Sequence, residues 1–123
     1  MVKALLIEPG GSTHKVSIKS VAEIKTLLSI ESVDYDYNRN LGVYVYYEFG
    51  SAHPVNVFPS YLMQGGYRGP VVVVGDLDEK ADYKRINDFR NLPKAWFKES
   101  LSLLIQRANT SAEAIALVAS NMG

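Results

Sequence analysis

Four consecutive valines stand out in the hydrophobic pattern of the chain. Val71–Val74 lie between Gly69-Pro70 and Gly75. A run of β-branched residues bounded by turn residues is typical of a buried strand, because these side chains pack better on a pleated surface than in a helix. Pro70 fits the first position of such a strand, where no backbone N–H is needed. The pattern therefore predicts a buried strand from Pro70 to Val74.

The first thirty residues predict a hairpin followed by a helix. Val2 to Glu8 indicates a strand that ends at Pro9 and a glycine pair, and His14 to Ile18 alternates polar and apolar residues like a half-buried partner strand. Ser20 and Glu23 fit a capping box. They precede apolar residues at helical spacing, so we predict a helix over about residues 21 to 29.

A second hairpin is predicted from Val33–Tyr37 and Leu41–Phe49, joined by Asn38-Arg39-Asn40. The two asparagines of the connection tolerate the positive φ angles of a tight turn. Side chains alternate between the faces of a strand. One predicted face of the second strand carries Val43, Val45, Tyr47 and Phe49, and the other carries Tyr44, Tyr46 and Glu48.

The segment before the valine run is interrupted by prolines. Pro54 and Pro59 bracket Val55–Phe58, and neither proline donates to a strand ladder, so this segment is predicted as a short edge or bent strand. Tyr61–Arg68 is predicted as a loop, after which Pro70–Val74 completes the sheet.

Helical patterns fill the last third of the chain. We predict a short helix between Asp76 and Arg90, where acidic residues precede basic ones. A longer helix is predicted from Pro93 to Ala108, with Asn91 as the candidate N-cap and Asn109 ending it. Thr110 and Glu113 fit a capping box for a last helix to about residue 120. The predicted buried face of that helix consists of Ile115, Val118 and Met122.

Together these elements predict an α+β fold, with a small, mainly antiparallel sheet packed on one helix and followed by two or three C-terminal helices. A chain of 123 residues suits one domain. Within it, residues 1–76 form the predicted sheet-plus-helix core and residues 77–123 a helical extension. Apolar residues make up 47% and charged residues 21% of the chain, which is ordinary for a soluble globular protein.

Charge and cysteine content remove several function classes. Thirteen basic residues balance thirteen acidic ones, which argues against generic nucleic-acid or membrane binding. The absence of cysteine removes disulfides, thiol catalysis and cysteine-based zinc sites, and a cytoplasmic location is the simplest fit. The apolar run near the N-terminus is too short for a membrane helix or a signal peptide, so we predict a first strand there.

Residues that could support catalysis are sparse. His14 and His53 have no acidic residue at a helical metal-ligand spacing, and the glycine-rich segments match neither a phosphate loop nor a dinucleotide fingerprint. Glu8, Asp34 and Asp36 are compatible with a carboxylate pair, but a solvated strand face explains the two aspartates equally. We therefore predict a protein that is not an enzyme and needs neither metal nor cofactor.

The junction of the last two helices is the predicted binding site. Helix N-termini attract anions, and an arginine with two hydroxyls and an amide lies there within five residues; two ordinary helix caps are the alternative interpretation. A stacking ring and polar groups would come from the other end of the long helix, either within the chain or across a subunit boundary. The predicted ligand-binding residues are Phe89, Arg90, Asn91, Arg107, Asn109, Thr110 and Ser111.

Two apolar surfaces suggest interfaces. Trp96 and Leu103 lie beside the main apolar stripe of the long helix, so either the last helix or a second copy of the chain is expected to cover them. The outward pair Tyr44 and Tyr46 suits an interface or a base-stacking platform, although tyrosine is also simply a good strand residue.

The opening Ala4–Gly11, the helix around Ile24–Leu28 and the segment Gly69–Gly75 resemble a family of small proteins of unknown function from phages and mobile elements, over residues 2 to 75. The helices from Pro93 onwards depart from that family. The architecture also resembles phage Thoeris anti-defence proteins, which sequester cyclic ADP-ribose signals as oligomeric sponges.

These resemblances imply a phage accessory protein of the host cytoplasm that forms a homo-oligomer and sequesters a cyclic nucleotide or a cyclic ADP-ribose-type signal. An inhibitor that binds a host protein directly is one alternative. A nucleic-acid-binding regulator is another, and the neutral net charge argues against it.

Overall fold

The computed structural model describes residues 1–76 and 89–122, which form a five-stranded antiparallel sheet with helices on both faces. This α+β architecture in one small domain confirms the predicted fold class. The strands are β1 (Val2–Ile7), β2 (Thr13–Ile18), β3 (Asp34–Asn38), β4 (Val43–Tyr47) and β5 (Val71–Gly75). The helices are α1 (Val21–Leu28), α2 (Val57–Met63), α3 (Glu99–Ala108) and α4 (Ala112–Met122), with a 3₁₀ helix at Lys94–Phe97.

The valine strand β5 lies at the centre of the sheet. The strand order is β2-β1-β5-β4-β3, and every neighbouring pair is antiparallel. Val71–Val74 are all fully buried. Both faces of β5 are covered, and this explains the continuous apolar run where a half-exposed strand would alternate.

The sheet separates two hydrophobic clusters. The first cluster joins one face to α2, α3 and α4, and the second joins the opposite face to α1. Members of the first cluster include Leu5, Ile7, Val43, Val45, Phe58, Tyr67, Val71, Val73, Trp96, Leu101, Ile105, Ala108, Ile115 and Val118. The second cluster consists of Val2, Ala4, Ile18, Ile24, Leu28, Tyr46, Val72, Val74 and Phe89.

The prediction of a strand at Val55–Phe58 and a loop from Tyr61 is wrong, because a helix, α2, begins at Val57. Val55 keeps a single bridge to Arg68. Pro59 is the third residue of α2, where a backbone N–H would have no partner within the helix. The prolines therefore mark a helix start here.

The prediction of one long helix from Pro93 is also wrong, since the helix is interrupted at Lys98. This residue is extended (φ −69°, ψ 136°) between the 3₁₀ helix and α3. The break reorients the chain, so that Trp96 on one side of it and Leu101 on the other both enter the first cluster.

Local capping residues lie at the helix ends, and one of them differs from the prediction. Ser20 caps α1 as predicted, its hydroxyl accepting from Glu23 N. Asn109 ends α3, as predicted, but α4 is capped by Ser111, whose hydroxyl accepts from Ala114 N at 3.3 Å. The predicted cap Thr110 instead donates its hydroxyl to the Arg107 carbonyl. The helix predicted after Asp76 lies largely in residues 77–88, outside the described residues.

Candidate functional site

The α3–α4 junction places its two hydroxyls in helix capping. Thr110 Oγ1 donates to the Arg107 carbonyl at 3.0 Å, and Ser111 Oγ accepts from Ala114 N. Asn109 buries both polar atoms of its amide without a hydrogen-bond partner among the described residues. A Cβ at Gly11 would lie 2.1 Å from Asn109 Nδ2, so this amide packs against the turn between β1 and β2. The two hydroxyls of the junction thus serve the helix ends, and the Asn109 amide is buried against the β1–β2 turn.

Arg107 is exposed and lines a cleft of about 710 Å³ on the outer side of α3. A cleft of this size falls within the range of small-molecule sites. The residues that line it are Ser100, Leu103, Leu104, Gln106, Arg107 and Thr110. Among these described residues there is one cation and no aromatic ring to stack on a base.

Phe89, Arg90 and Asn91 lie in a different part of the molecule. The Arg90 carbonyl accepts from Gly75 N at 3.1 Å, and Asn91 Oδ1 accepts from Lys3 N at 2.8 Å. Phe89 is buried in the second cluster. Arg90 and Asn91 therefore lie between the start of β1 and the end of β5, whereas Phe89 packs on the sheet face of the second cluster.

The two halves of the predicted ligand site are not brought together within one chain. Asn91 contacts Lys3 at the start of β1, whereas Asn109 packs on Gly11 beyond its end. Six residues of strand span about 20 Å. Phe89 also lies on the sheet face opposite to α3. Within one chain, the two halves therefore cannot contact the same small ligand.

Of the two residues expected beside the apolar stripe, the structure buries one. Trp96 is 4% exposed within the first cluster, so the chain itself covers this side chain and its prediction as an interface residue is wrong. Leu103 is 54% exposed on α3. The break at Lys98 accounts for the difference, because Trp96 no longer belongs to the helix that carries Leu103.

Four tyrosines of β3 and β4 share the sheet face of the second cluster, namely Tyr35, Tyr37, Tyr44 and Tyr46. Tyr46 is buried and Tyr44 half-buried, so the expectation of an outward pair is wrong for Tyr46. Phe89 packs its edge against both rings, at centroid distances of 5.1 and 5.8 Å. The more exposed rings are those of the edge strand, Tyr35 at 37% and Tyr37 at 42%.

These edge tyrosines are held in place by contacts. The Tyr37 ring centroid lies 4.7 Å from that of Tyr44, and Tyr35 lies 6.0 Å from both Tyr44 and Tyr46. The Tyr37 hydroxyl donates to Asp76 Oδ2 at 2.9 Å, and this hydrogen bond raises the pKa of Tyr37. Burial raises the pKa of Tyr44. Both phenols therefore ionise at a higher pH than an ordinary tyrosine, because the pKa of each is raised.

On the opposite face, Asp36 accepts a hydrogen bond from the buried Tyr67 hydroxyl. Tyr47 packs edge-on against Tyr67 at 4.7 Å. Burial, with a further contribution from Asp36, raises the pKa of Tyr47 to about 12 and also raises that of Tyr67. Asp36 is therefore an acceptor in a tyrosine cluster, which the alternation of acids and tyrosines in the sequence did not reveal.

Glu8 lies apart from Asp34 and Asp36. It directly follows β1, and β5 and β4 separate β1 from β3. It pairs instead with His14, with Oε2 to Nε2 at 3.0 Å and both side chains about half exposed. Cross-hairpin proximity creates this pair, whereas the sequence search considered helical spacings. An exposed pair of this kind contributes little to stability.

Two features are absent from the described part of the chain. No group of three or more His, Cys, Asp or Glu side chains in residues 1–76 and 89–122 is placed to hold a metal ion. Within the same residues, no helix has the length and apolar character needed to cross a membrane. Comparisons with protein-family models, curated proteins and solved structures return no match to this chain.

Proposed function

We propose that this protein acts by binding another protein, and not by catalysis, through a surface that we term the tyrosine face. The tyrosine face consists of Tyr35, Tyr37 and Tyr44, with Tyr46 and Phe89 beneath them. The observation that carries the proposal is the exposure of Tyr35 and Tyr37, at 37% and 42%, while their rings pack on Tyr44 and Tyr46.

Packing makes this surface suitable for binding. Tyr35 and Tyr37 pair across the strands with Tyr46 and Tyr44, so the backbone ladder sets their positions. Asp76 holds the Tyr37 hydroxyl. A tyrosine that is already ordered offers a large contact area with little further loss of side-chain entropy on binding. Tyrosines are enriched among the residues that carry binding energy at interfaces.

The test places a benzophenone-bearing amino acid at position 37 and, in a matched variant, at position 61. Tyr61 on α2 is 50% exposed and lies away from the tyrosine face, so it controls for exposure alone. In native host cells we expect position 37 to crosslink one defined protein on irradiation and position 61 not to. Equal crosslinking at both positions, or none at position 37, would overturn the proposal.

The protein recovered in this way then allows a direct measurement. Tyr37→Ala should weaken its binding about tenfold or more, whereas Tyr61→Ala should leave the affinity unchanged. Such a partner would correspond to the host protein in the alternative prediction of a phage inhibitor that binds a host protein directly. An affinity that does not change in Tyr37→Ala would place the contact elsewhere.

A second candidate function, sequestration of a cyclic nucleotide or a cyclic ADP-ribose-type signal, is favoured by the cleft that Arg107 and Thr110 line. A thermal-shift screen with cyclic nucleotides and cyclic ADP-ribose isomers tests it. A true ligand at a hundredfold excess over its dissociation constant adds about 2.7 kcal/mol of stability. Arg107→Ala should abolish that shift. If no ligand shifts the melting curve, the tyrosine-face proposal stands alone.

A further inference from the structure

We propose that α3 pairs with α3 of a second copy of this chain, antiparallel and about a twofold axis at Leu103. This inference goes beyond the proposed function and uses the other face of the sheet. The surface concerned, the α3 outer face, consists of Glu99, Ser100, Leu103, Gln106 and Arg107, all of them exposed.

Helical geometry places these residues on one side of α3. Glu99 and Arg107 each lie four residues from Leu103, one before and one after it. Four residues correspond to about 6 Å of rise and a rotation of only about 40°. Both charges therefore flank Leu103 on the same face. Leu101, Ile105 and Ala108 occupy the opposite, buried side of the helix.

This pattern is complementary to itself. In an antiparallel pair centred on Leu103, Glu99 of each helix lies opposite Arg107 of the other, and Ser100 lies opposite Gln106. Two identical ion pairs then flank a contact between the two Leu103 side chains, as an isologous interface requires. In a parallel pair, by contrast, like charges would lie opposite one another.

The groups needed for the pairing are available. Across residues 1–76 and 89–122, neither Glu99 nor Arg107 takes part in an ion pair. Leu103 is 54% exposed, although it lies in the middle of a helix. A large apolar side chain between two unpaired, opposite charges suits a second copy of the same helix better than water.

The pairing would be weak and reversible. A ten-residue helix is about 15 Å long, so one helix pair covers less surface than a stable dimer needs. Dimerisation would double the number of tyrosine faces in one particle. The α3 outer face and the tyrosine face lie on opposite sides of the sheet, so the dimer presents two tyrosine faces outward.

Light scattering of the full chain over about 10 µM to 1 mM tests the pairing. The mass should rise from 13.6 kDa towards twice that value with concentration. Glu99→Arg alone and Arg107→Glu alone each set like charges opposite one another, and each should raise the dissociation constant about tenfold or more. An equimolar mixture of the two variants restores both ion pairs, so its mass should return to that of the unaltered chain.

Two leucine variants complete the test. Leu103→Glu should be monomeric, whereas Leu27→Glu, on α1 across the sheet and 39% exposed, should dimerise like the unaltered chain. Circular dichroism verifies that each variant is folded. A chain that stays monomeric at the highest concentration, or a mixture of folded charge variants that does not associate, would overturn the proposal. Because no residue of the tyrosine face is altered, that result would leave the proposed protein-binding function untouched.

Discussion

Asn56 joins three segments of the chain through one buried side chain. Its Nδ2 donates to the Ile7 carbonyl at 2.9 Å and to the Gly69 carbonyl at 3.0 Å, while its backbone N–H donates to the Tyr67 carbonyl. The end of β1, the start of α2 and the approach to β5 are thereby tied together. In the sequence, Asn56 lies between two prolines, within the segment predicted as a short strand. Its role depends on partners that only the fold supplies.

Three tyrosines make the stability of the protein sensitive to high pH. Burial is the first cause that raises the pKa of Tyr46, Tyr47 and Tyr67, and the value for Tyr47 rises from the ordinary 10.0 to about 12. The unfolded chain therefore releases these phenol protons at lower pH than the folded chain. The stability that the neutral phenols contribute is complete below pH 10 and is lost as the pH rises through the folded values.

We accordingly expect the urea midpoint to fall as the pH is raised from 10 towards 12. Tyr47→Phe cannot ionise at this position, so its midpoint should fall less steeply over the same range. Paired urea titrations at several pH values measure the difference. A slope that is the same in both proteins would show that Tyr47 titrates alike in the folded and unfolded chains.

The elements of the fold are bounded by caps that operate over three or four residues. The α3–α4 connection offers two candidate caps at adjacent positions. Thr110 and Ser111 both carry hydroxyls, and only Ser111 caps α4. The capping-box spacing of Thr110 and Glu113 favoured the wrong one. What decides is the path of the chain out of α3, which turns through Asn109 before α4 begins at Ala112.

Alanine substitutions at the two hydroxyls distinguish these roles. Ser111→Ala removes the acceptor for Ala114 N and should lower the free energy of unfolding by about 1 kcal/mol. Thr110→Ala should cost less, because water replaces its hydroxyl at the exposed Arg107 carbonyl. Urea unfolding of the two variants gives the comparison. A larger loss of unfolding free energy in Thr110→Ala than in Ser111→Ala would indicate that Thr110 caps α4.

The molecule as a whole depends on a short segment that returns to the sheet. Residues 90–92 enter between β1 and β5, where Leu92 N donates to the Lys3 carbonyl and Gly75 N donates to the Arg90 carbonyl. This arrangement leaves no room for a side chain at the end of β5. A Cβ at Gly75 would lie 2.5 Å from the Arg90 carbonyl oxygen and 2.6 Å from that of Asn91. The segment predicted to contact a ligand is thus part of the sheet assembly.

Gly75→Ala should therefore destabilise the protein by about 1–3 kcal/mol, because both obstructing atoms belong to the backbone and cannot rotate away. Gly66→Ala is the control, since a Cβ there meets nothing within 4 Å. Urea midpoints of the two variants measure the effect. A Gly75→Ala protein as stable as the Gly66→Ala protein would mean that residues 90–92 are not held against β5.

Local patterns were sufficient for much of the fold. The valine run predicted β5, the alternation after Gly11 predicted β2, and the helical spacing of Ile115 and Val118 predicted the buried side of α4. Ser20 predicted the start of α1. Each of these signals arises among residues a few positions apart, where periodicity and backbone capping operate directly. They carry no information about what lies on the far side of a sheet.

Contacts between distant segments decided the rest, and they concern the candidate sites most. Tyr46 is buried because Phe89 and the second cluster cover its face, and Trp96 is buried because the chain breaks at Lys98. Glu8 meets His14 only across a hairpin, and the two halves of the predicted ligand site lie at opposite ends of β1. Exposure and proximity depend on how elements pack, so a local pattern names candidate residues while the packing determines which of them share a surface.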